Sequence, residues 1–244
     1  MNSEIFKNED GTFIIFPNDA IAQHIKSGRL WEPHFKTVIS NLIELGNTVV
    51  DCGANFGYNA VLMGKEIGSN GMLIAFEPQR IIHQQLNGNL ILNNIFNAIT
   101  FQAALGDGSI SSTTMSSVNY ELPWVNIGDT SVGNGGEEVA VYSLDSINMV
   151  SVDFIKIDVQ GYELFTLQGA KDTLSKFQPD LFIEIEPHQL IKFGINADQL
   201  LDYIKSFGYK IFKINNDYPC DHICTINNLD KIEKLKNLLP LLEV

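Results

Sequence analysis

The stretch VVDCGANFGYNAV, residues 49–61, decides the fold. An apolar run of strand type ends at Asp51, a loop with Gly53 and Gly57 follows, and an apolar pattern of helical type begins after the second glycine. In an open α/β sheet, the loop between a strand and the next helix lies at the ligand-binding edge. Glycine lets such a loop adopt torsions that a Cβ atom would obstruct. The stretch therefore predicts a binding loop at the end of a parallel strand.

Strand and helix patterns alternate along the rest of the chain. Apolar runs such as MLIAFEP, VDFIKIDV and DLFIEIEP are each followed by an amphipathic pattern of helical type. Strands without polar alternation are typical of a parallel sheet that is covered on both faces. The sequence predicts an α/β fold with a doubly wound, mostly parallel seven-stranded sheet and helices on both faces, in a single domain over residues 1–244.

Three segments lie outside this alternation. Residues 1–46 predict an N-terminal hairpin and helix, and residues 229–244 predict an amphipathic C-terminal helix. Residues 107–136 are rich in Ser, Thr, Asn and Gly without a clear period, although they include Tyr120 and Trp124. Because connections of this length are often functional, we expect a lid or an acceptor-binding loop here.

Composition and charge disfavour several classes of protein. The 244-residue chain has a formal net charge of −13 and no dense basic run. Proteins bind phosphate backbones mainly through Lys and Arg, so nucleic acid is a disfavoured partner that we keep only as an alternative. An anionic membrane surface is disfavoured for the same reason. The sequence has no basic leader before an apolar run and no apolar window of membrane-spanning length. We expect a cytoplasmic protein, with a homodimer as one possible oligomeric state.

Carboxylates at two strand ends indicate the ligand. A dinucleotide site has the pattern G-x-G-x-x-G with a pyrophosphate on the helix N-terminus, whereas here Asn55 replaces a glycine and Asp51 precedes the loop. A carboxylate there repels a pyrophosphate and suits the ammonium and sulfonium groups of S-adenosylmethionine. Glu77 ends the next strand, where an acid accepts ribose hydroxyl groups. The pair favours S-adenosylmethionine, and an NAD-dependent oxidoreductase is the less favoured interpretation.

Successive motifs resemble those of the FkbM-type S-adenosylmethionine-dependent methyltransferases. In chain order, within residues 28–215, they are VVDCGANFGYNAVLM, IAFEPQ, FQAALGD, SLDSI, VDFIKIDVQGYELFTLQGA and LFIEIEPHQL. The resemblance implies a Rossmann-like class I methyltransferase fold and methylation of a hydroxyl group, sometimes an amine, on a saccharide or another small hydroxylated acceptor. An RNA or cap ribose 2′-O-methyltransferase is the chemically close alternative.

The resemblance also implies which residues hold the donor. Carried over position by position, the cofactor-binding residues are Glu32, Asp51, Gly53, Ala54, Asn55, Gly57, Glu77, Pro78, Ala104, Leu105, Asp107 and Asp158. The chain departs from the family at Gln160, where a Glu is common. This departure motivates a further alternative, a domain that keeps the nucleoside pocket but has lost turnover.

Candidate catalytic groups follow two later strands. Methyl transfer from a sulfonium needs an aligned acceptor and a dry site, and a base that takes the acceptor proton adds roughly 10²–10⁴-fold in rate. Strand alternation places Lys156 and Asp158 on one side, so the lysine can hold the carboxylate ionised. His188 follows the next strand, and histidine is the residue type most often used as a general base. We predict these three as catalytic residues, and Asp158 and His188 both stay open as the base.

Two metal sites are possible on residue type alone. The oxygen and nitrogen donors suited to Mg²⁺ are Asp158, Glu184, Glu186 and His188. The side chains of zinc-ligand type are Cys220, His222 and Cys224, which lack a fourth partner nearby in the sequence. The sequence fixes the geometry of neither set, so we predict no resident metal.

Overall fold

The computed structural model describes residues 2–133 and 135–244. The strands are β1 Glu4–Lys7, β2 Thr12–Ile15, β3 Thr48–Cys52, β4 Met72–Phe76, β5 Ala98–Phe101, β6 Ala103–Leu105, β7 Ser112–Met115, β8 Glu137–Tyr142, β9 Phe154–Ile157, β10 Asp180–Glu184, β11 Lys210–Ile214, β12 Asp221–Thr225 and β13 Leu241–Glu243. The helices are α1 Ala20–Lys26, α2 Pro33–Leu42, α3 Tyr58–Ile67, α4 Arg80–Leu92, α5 Glu163–Gln168, α6 Lys171–Phe177, α7 Pro187–Leu190, α8 Ala197–Ser206 and α9 Leu229–Leu235. Short 3₁₀ turns lie at Leu144–Ser146 and Ile191–Phe193.

The central sheet has eight strands in the order β13-β11-β12-β10-β9-β3-β4-β5. Strands β10, β9, β3, β4 and β5 run parallel, whereas β12 is antiparallel to both β10 and β11. The chain first builds outward from β3 to β5 and then returns to the other side of β3 with β9. This change of direction is the switch point at which open α/β sheets bind ligands. The α/β fold expected from the sequence is confirmed.

Apolar layers cover both faces of the central sheet. Val49 and Val50 of β3 are both fully buried, but they belong to different layers because successive strand residues face opposite sides. Helices α2, α3, α4 and α9 contribute to the layer around Val49. Helices α5, α6 and α8 contribute to the layer around Val50. The two-sided cover explains why the strand sequences lack polar alternation.

The C-terminal edge differs from the expectation of a helix over residues 229–244. Helix α9 ends at Leu235, and the chain then forms β13, which pairs antiparallel with β11. Pro240 lacks a backbone N–H and cannot continue the helix, and its carbonyl accepts a hydrogen bond from the Asn215 N–H at 2.8 Å. The added strand explains why the sheet has eight strands rather than seven.

The long connection over residues 107–136 is partly ordered by strand pairing. Strand β7 pairs antiparallel with β8, and β6 joins β8 in parallel, which makes a separate three-stranded sheet. Thus AITFQAAL, whose pattern suggests one strand, is divided between two sheets. We call residues 116–132, which follow β7, the lid segment. Its Trp124 side chain is exposed, and Asn134 of the connection lies outside the described residues.

The lid segment is docked on the N-terminal region. The Asp19 carboxylate caps α1 and also accepts a hydrogen bond from the Ile127 N–H at 3.1 Å. The Gln79 amide donates to the Ile127 carbonyl at 3.1 Å. Tyr120 packs edge to face on Phe16 with ring centroids 5.7 Å apart. These contacts hold the lid segment beside the carboxyl ends of the central strands. Across the described residues, no helix is both long and apolar enough to cross a bilayer.

Candidate functional site

A cavity of about 800 Å³ opens at the carboxyl edge of the parallel strands. Lining residues at the strand ends are, across the sheet, Glu77 after β4, Gly53 after β3, Asp158 after β9, Glu184 in β10 and Asp221 in the antiparallel β12. Neighbouring strands lie about 4.8 Å apart, so the row from β4 to β12 spans roughly 19 Å.

The loop after β3 forms one part of the cavity wall. Gly53, Ala54 and Asn55 line the cavity, whereas Gly57 does not. Gly53 has φ +83°, and a Cβ atom there would lie 1.9 Å from the carbonyl oxygen of Asp158. The sequence attributed the glycine to the approach of a ligand. The structure adds a requirement within the protein, because the loop packs directly on the backbone after β9.

Glu77 forms the wall beside this loop together with Pro78. Its carboxylate is buried, with one oxygen accepting the Asn55 N–H at 2.9 Å and the other accepting the Gln79 N–H at 2.8 Å. Burial raises the pKa of Glu77 to about 7, although the two N–H donors oppose the shift. The result is an acceptor group held rigidly at the end of β4.

The β6 strand supplies an apolar surface next to Glu77. Ala103, Ala104 and Leu105 line the cavity. Asp107, expected in the same group, is exposed, and its carboxylate accepts a hydrogen bond from the Ser109 N–H at 2.9 Å. The structure therefore brings Ala104 and Leu105 to the site but leaves Asp107 outside the cavity lining.

Lys156 and Asp51 form a buried charge pair beneath the glycine loop. Asp51 is 0% exposed and is not a lining residue. The sequence suggested that its carboxylate faces the ligand, but in the structure the carboxylate does not face the cavity. The Lys156 Nζ lies 3.5 Å from Asp51 and 3.7 Å from Asp158. Burial opposes the lysine charge, but the carboxylates of Asp51 and Asp158 outweigh it and raise the pKa of Lys156. Lys156 is therefore an ammonium group and cannot serve as a base.

Asp158 opens into the cavity between the glycine loop and β10. Its side chain is 29% exposed, and Gln160 donates a hydrogen bond to it at 2.8 Å. The buried Glu163 closes the same loop by accepting the N–H groups of Val159 at 3.2 Å and Gly161 at 3.0 Å. Burial raises the pKa of Glu163 to about 7. Glu163 thus fixes the loop, and Asp158 presents the carboxylate.

His188 is not brought to this cavity. It is exposed on α7 and does not line the cavity, in contrast to Lys156 and Asp158. A different histidine, His34 of α2, lines the wall and lies 2.6 Å from Asp221 through Nε2. Sequence reasoning missed this pair because its partners are 187 positions apart and neither belongs to a local pattern.

Glu32 stands at the start of α2 in a left-handed conformation with φ +44°. Its carboxylate accepts a hydrogen bond from the Asn59 amide at 2.8 Å, and both residues line the cavity. Burial, followed by the charge of Asp221, raises the pKa of Glu32. The structure thus brings Glu32 to the wall where the family resemblance expected it.

Glu184 lines the far side of the cavity next to Asp158. Tyr218 donates a hydrogen bond to the Glu184 carboxylate at 3.0 Å and also lies 3.1 Å from Glu186. Burial, followed by the charge of Asp158, raises the pKa of Glu184 well above its ordinary value. The upward shift favours the protonated form of this side chain, in which it can donate a hydrogen bond.

Neither metal alternative receives support from the described residues. Over residues 2–133 and 135–244, no group of three or more His, Cys, Asp or Glu side chains is arranged to hold a metal ion. This covers the possible Mg²⁺ donors around Asp158 and the possible zinc ligands around Cys220. The ionisable side chains of the cavity bond to each other and to backbone groups instead.

A family model described as the methyltransferase FkbM domain matches residues 51–211. The chain belongs to this family. The matched region of the FkbM domain runs from the end of β3 into β11 and includes the glycine loop, Glu77 and the loop after β9. No curated protein sequence matches the chain significantly.

Several solved structures that are similar to this FkbM domain are methyltransferases. Methyltransferase FkbM from Methylobacillus flagellatus is 23% identical with a TM-score of 0.53, over 78% of this chain and 47% of that chain. A putative rRNA methylase from Clostridium thermocellum is 13% identical with a TM-score of 0.53. The match covers 78% of this chain and 92% of that chain. An S-adenosylmethionine-dependent O-methyltransferase from Thermotoga maritima is 11% identical with a TM-score of 0.51. The match covers 91% of this chain and 77% of that chain. These similarities show the class I methyltransferase fold, and the match spans about half of the Methylobacillus protein.

Proposed function

We propose that this FkbM domain methylates a hydroxyl group of a saccharide or another small hydroxylated acceptor, with S-adenosylmethionine as the methyl donor. The observation that carries the proposal is the placement of the buried Glu77 carboxylate beside the glycine loop on adjacent parallel strands. A carboxylate at this position accepts ribose hydroxyl groups. The family and the fold of the neighbours support the same donor.

The residues along the β3–β4 half of the cavity fit this donor. Glu77 holds the ribose, Ala104 and Leu105 offer an apolar wall to the adenine, and the loop at residues 53–55 holds the methionine part. When bound, the donor supplies a methyl group already activated by its sulfonium. The protein therefore has to orient the acceptor, exclude water and receive a proton.

The β9–β12 half of the cavity is then left for the acceptor. Asp158 takes the proton of the acceptor hydroxyl group as the oxygen bonds to the methyl carbon and the carbon–sulfur bond breaks. Lys156 keeps a positive charge 3.7 Å from the Asp158 carboxylate throughout. Glu184, protonated, can donate a hydrogen bond to a neighbouring hydroxyl group. An alcohol with several hydroxyl groups suits these donors and acceptors.

The charge of the cavity favours a neutral acceptor over nucleic acid. The acidic lining residues are Glu32, Glu77, Asp129, Asp158, Glu184, Asp217 and Asp221. The lysine and arginine residues of the lining are Arg29 and Lys156, and Lys156 is buried among carboxylates. A phosphate backbone needs a basic surface, so the RNA and cap alternative is disfavoured.

Calorimetry with S-adenosylhomocysteine and with NADH tests the donor. We expect the protein to bind S-adenosylhomocysteine and not NADH. Binding of NADH alone would instead favour the oxidoreductase alternative and refute the proposal.

The acceptor is tested by transfer of a labelled methyl group to a panel of mono- and oligosaccharides and to a short capped RNA. We expect label on a saccharide and its loss in Asp158→Asn. Label on the RNA alone would refute the proposed acceptor while leaving the donor assignment intact.

A further inference from the structure

Gln160 lies at the centre of a chain of polar side chains that connects the lid segment to Asp158. Its amide nitrogen donates to the Asp158 carboxylate at 2.8 Å, and its amide oxygen accepts from the Gln189 nitrogen at 3.0 Å. The same Gln189 nitrogen donates to Asp129 of the lid segment at 3.0 Å. The chain thus runs from a carboxylate at the end of β9 to a carboxylate in the lid segment.

The two carboxylates fix the direction of both amides. An ionised carboxylate only accepts hydrogen bonds, so Gln189 must turn its nitrogen towards Asp129 and Gln160 must turn its nitrogen towards Asp158. The remaining contact then joins the Gln189 nitrogen to the Gln160 oxygen, which is a donor facing an acceptor. Every contact in the chain is satisfied in one arrangement only.

This arrangement requires an amide rather than a carboxylate at position 160. A Glu at this position keeps the contact with Gln189 but has no proton to donate to Asp158, and it places a second negative charge there. Gln160 also has φ +54°, a conformation that costs a non-glycine residue about 1–2 kcal/mol. The strained backbone directs the side chain between Asp158 and Gln189.

We propose that Gln160 is a positioning residue that, through Gln189, couples the docked position of the lid segment to the orientation of Asp158. When the lid segment is docked, Asp129 orients Gln189, Gln189 orients Gln160, and Gln160 holds one oxygen of Asp158. The other carboxylate oxygen then stays beside Lys156 and open to the acceptor. The inference rests on the proposed function, because it gives Asp158 the role of base.

Hydrogen exchange of the full chain, measured by mass spectrometry on peptides from the lid segment, tests this coupling. Gln189→Ala removes the hydrogen bonds of the bridging side chain to Asp129 and Gln160, together with the one that it accepts from Lys192. Gln160→Glu removes the donor to Asp158. Each variant should speed exchange in the lid segment by at least about tenfold, the factor that corresponds to the loss of one hydrogen bond to a charged group. The double variant Gln160→Glu/Asp158→Asn exchanges the donor and the acceptor of this pair, because the amide introduced at position 158 would donate to the carboxylate introduced at position 160. This variant should restore slow exchange in the lid segment.

Gln178 provides a matched control. It is also a glutamine with a left-handed backbone, φ +50°, and it hydrogen-bonds the amide of Asn227 at 3.3 Å, away from the cavity. Gln178→Glu should leave exchange in the lid segment unchanged. Equal acceleration in the control and in Gln160→Glu, or no rescue by the double variant, overturns the coupling.

The same samples separate this inference from the proposed function. Binding of S-adenosylhomocysteine by the unmodified protein, with unchanged exchange in Gln160→Glu, refutes the coupling and leaves the proposed function standing. Accelerated exchange that the double variant rescues, in a protein that does not bind S-adenosylhomocysteine, supports the coupling and refutes the donor assignment.

Discussion

Replacing Glu77 by Gln tests the group that carries the functional proposal. The two carboxylate oxygens each accept one backbone N–H, from Asn55 at 2.9 Å and from Gln79 at 2.8 Å. A glutamine has one oxygen, so its NH₂ group must face one of these buried N–H groups. Leaving a buried donor without a partner costs about 1–3 kcal/mol of unfolding free energy. At about 2–4 °C for each kcal/mol, a cost of about 2 kcal/mol lowers the melting temperature by roughly 4–8 °C.

The same change weakens donor binding. A hydrogen bond from a ribose hydroxyl group to a charged acceptor contributes about 1.5–3 kcal/mol, so its loss should weaken S-adenosylhomocysteine binding roughly 10- to 150-fold. Calorimetry is done at pH 8, because burial raises the pKa of Glu77 to about 7 and the carboxylate is ionised above it. Glu138→Gln, on the exposed surface of β8, is the control and should match the unmodified protein. If the affinity of Glu77→Gln for S-adenosylhomocysteine lies within threefold of that of the Glu138→Gln control, the assignment of Glu77 to the ribose is refuted.

Three further predictions follow from the site. Gly53→Ala should abolish S-adenosylhomocysteine binding and lower the melting temperature, because the new Cβ would lie 1.9 Å from the Asp158 carbonyl oxygen; unchanged calorimetry would contradict this. Lys156→Met should lower the free energy of unfolding, measured with denaturant, by about 3–5 kcal/mol, because it leaves Asp51 buried and unpaired. Adding Asp51→Asn should recover most of this free energy, and absence of recovery would argue against the pair. Burial raises the pKa of Glu163 to about 7 from an ordinary 4.5, so the folded chain binds the extra proton between these values. This stabilisation is complete below about pH 4.5 and is lost as pH rises through 7, so Glu163→Gln should flatten the fall in melting temperature between pH 5 and 8.

The sequence by itself determined the alternation of strands and helices, the glycine loop after β3 and the acid at the end of β4. It also placed Lys156 and Asp158 on one side of their strand. These features follow from short-range periodicity and from the rule that carboxyl ends of parallel strands share one edge. For that reason Gly53, Glu77 and Asp158 lie together in the structure as the sequence reasoning required.

Only the tertiary structure decided which charged groups face the cavity. Asp51 and Asp158 both lie at the ends of apolar strands, yet packing buries Asp51 against Lys156 and opens Asp158 to the cavity. His34 meets Asp221 across 187 positions, and Asp107 turns out to solvent although its neighbours line the wall. Contacts of this kind depend on which distant segments pack together, and no local pattern in a single sequence records that.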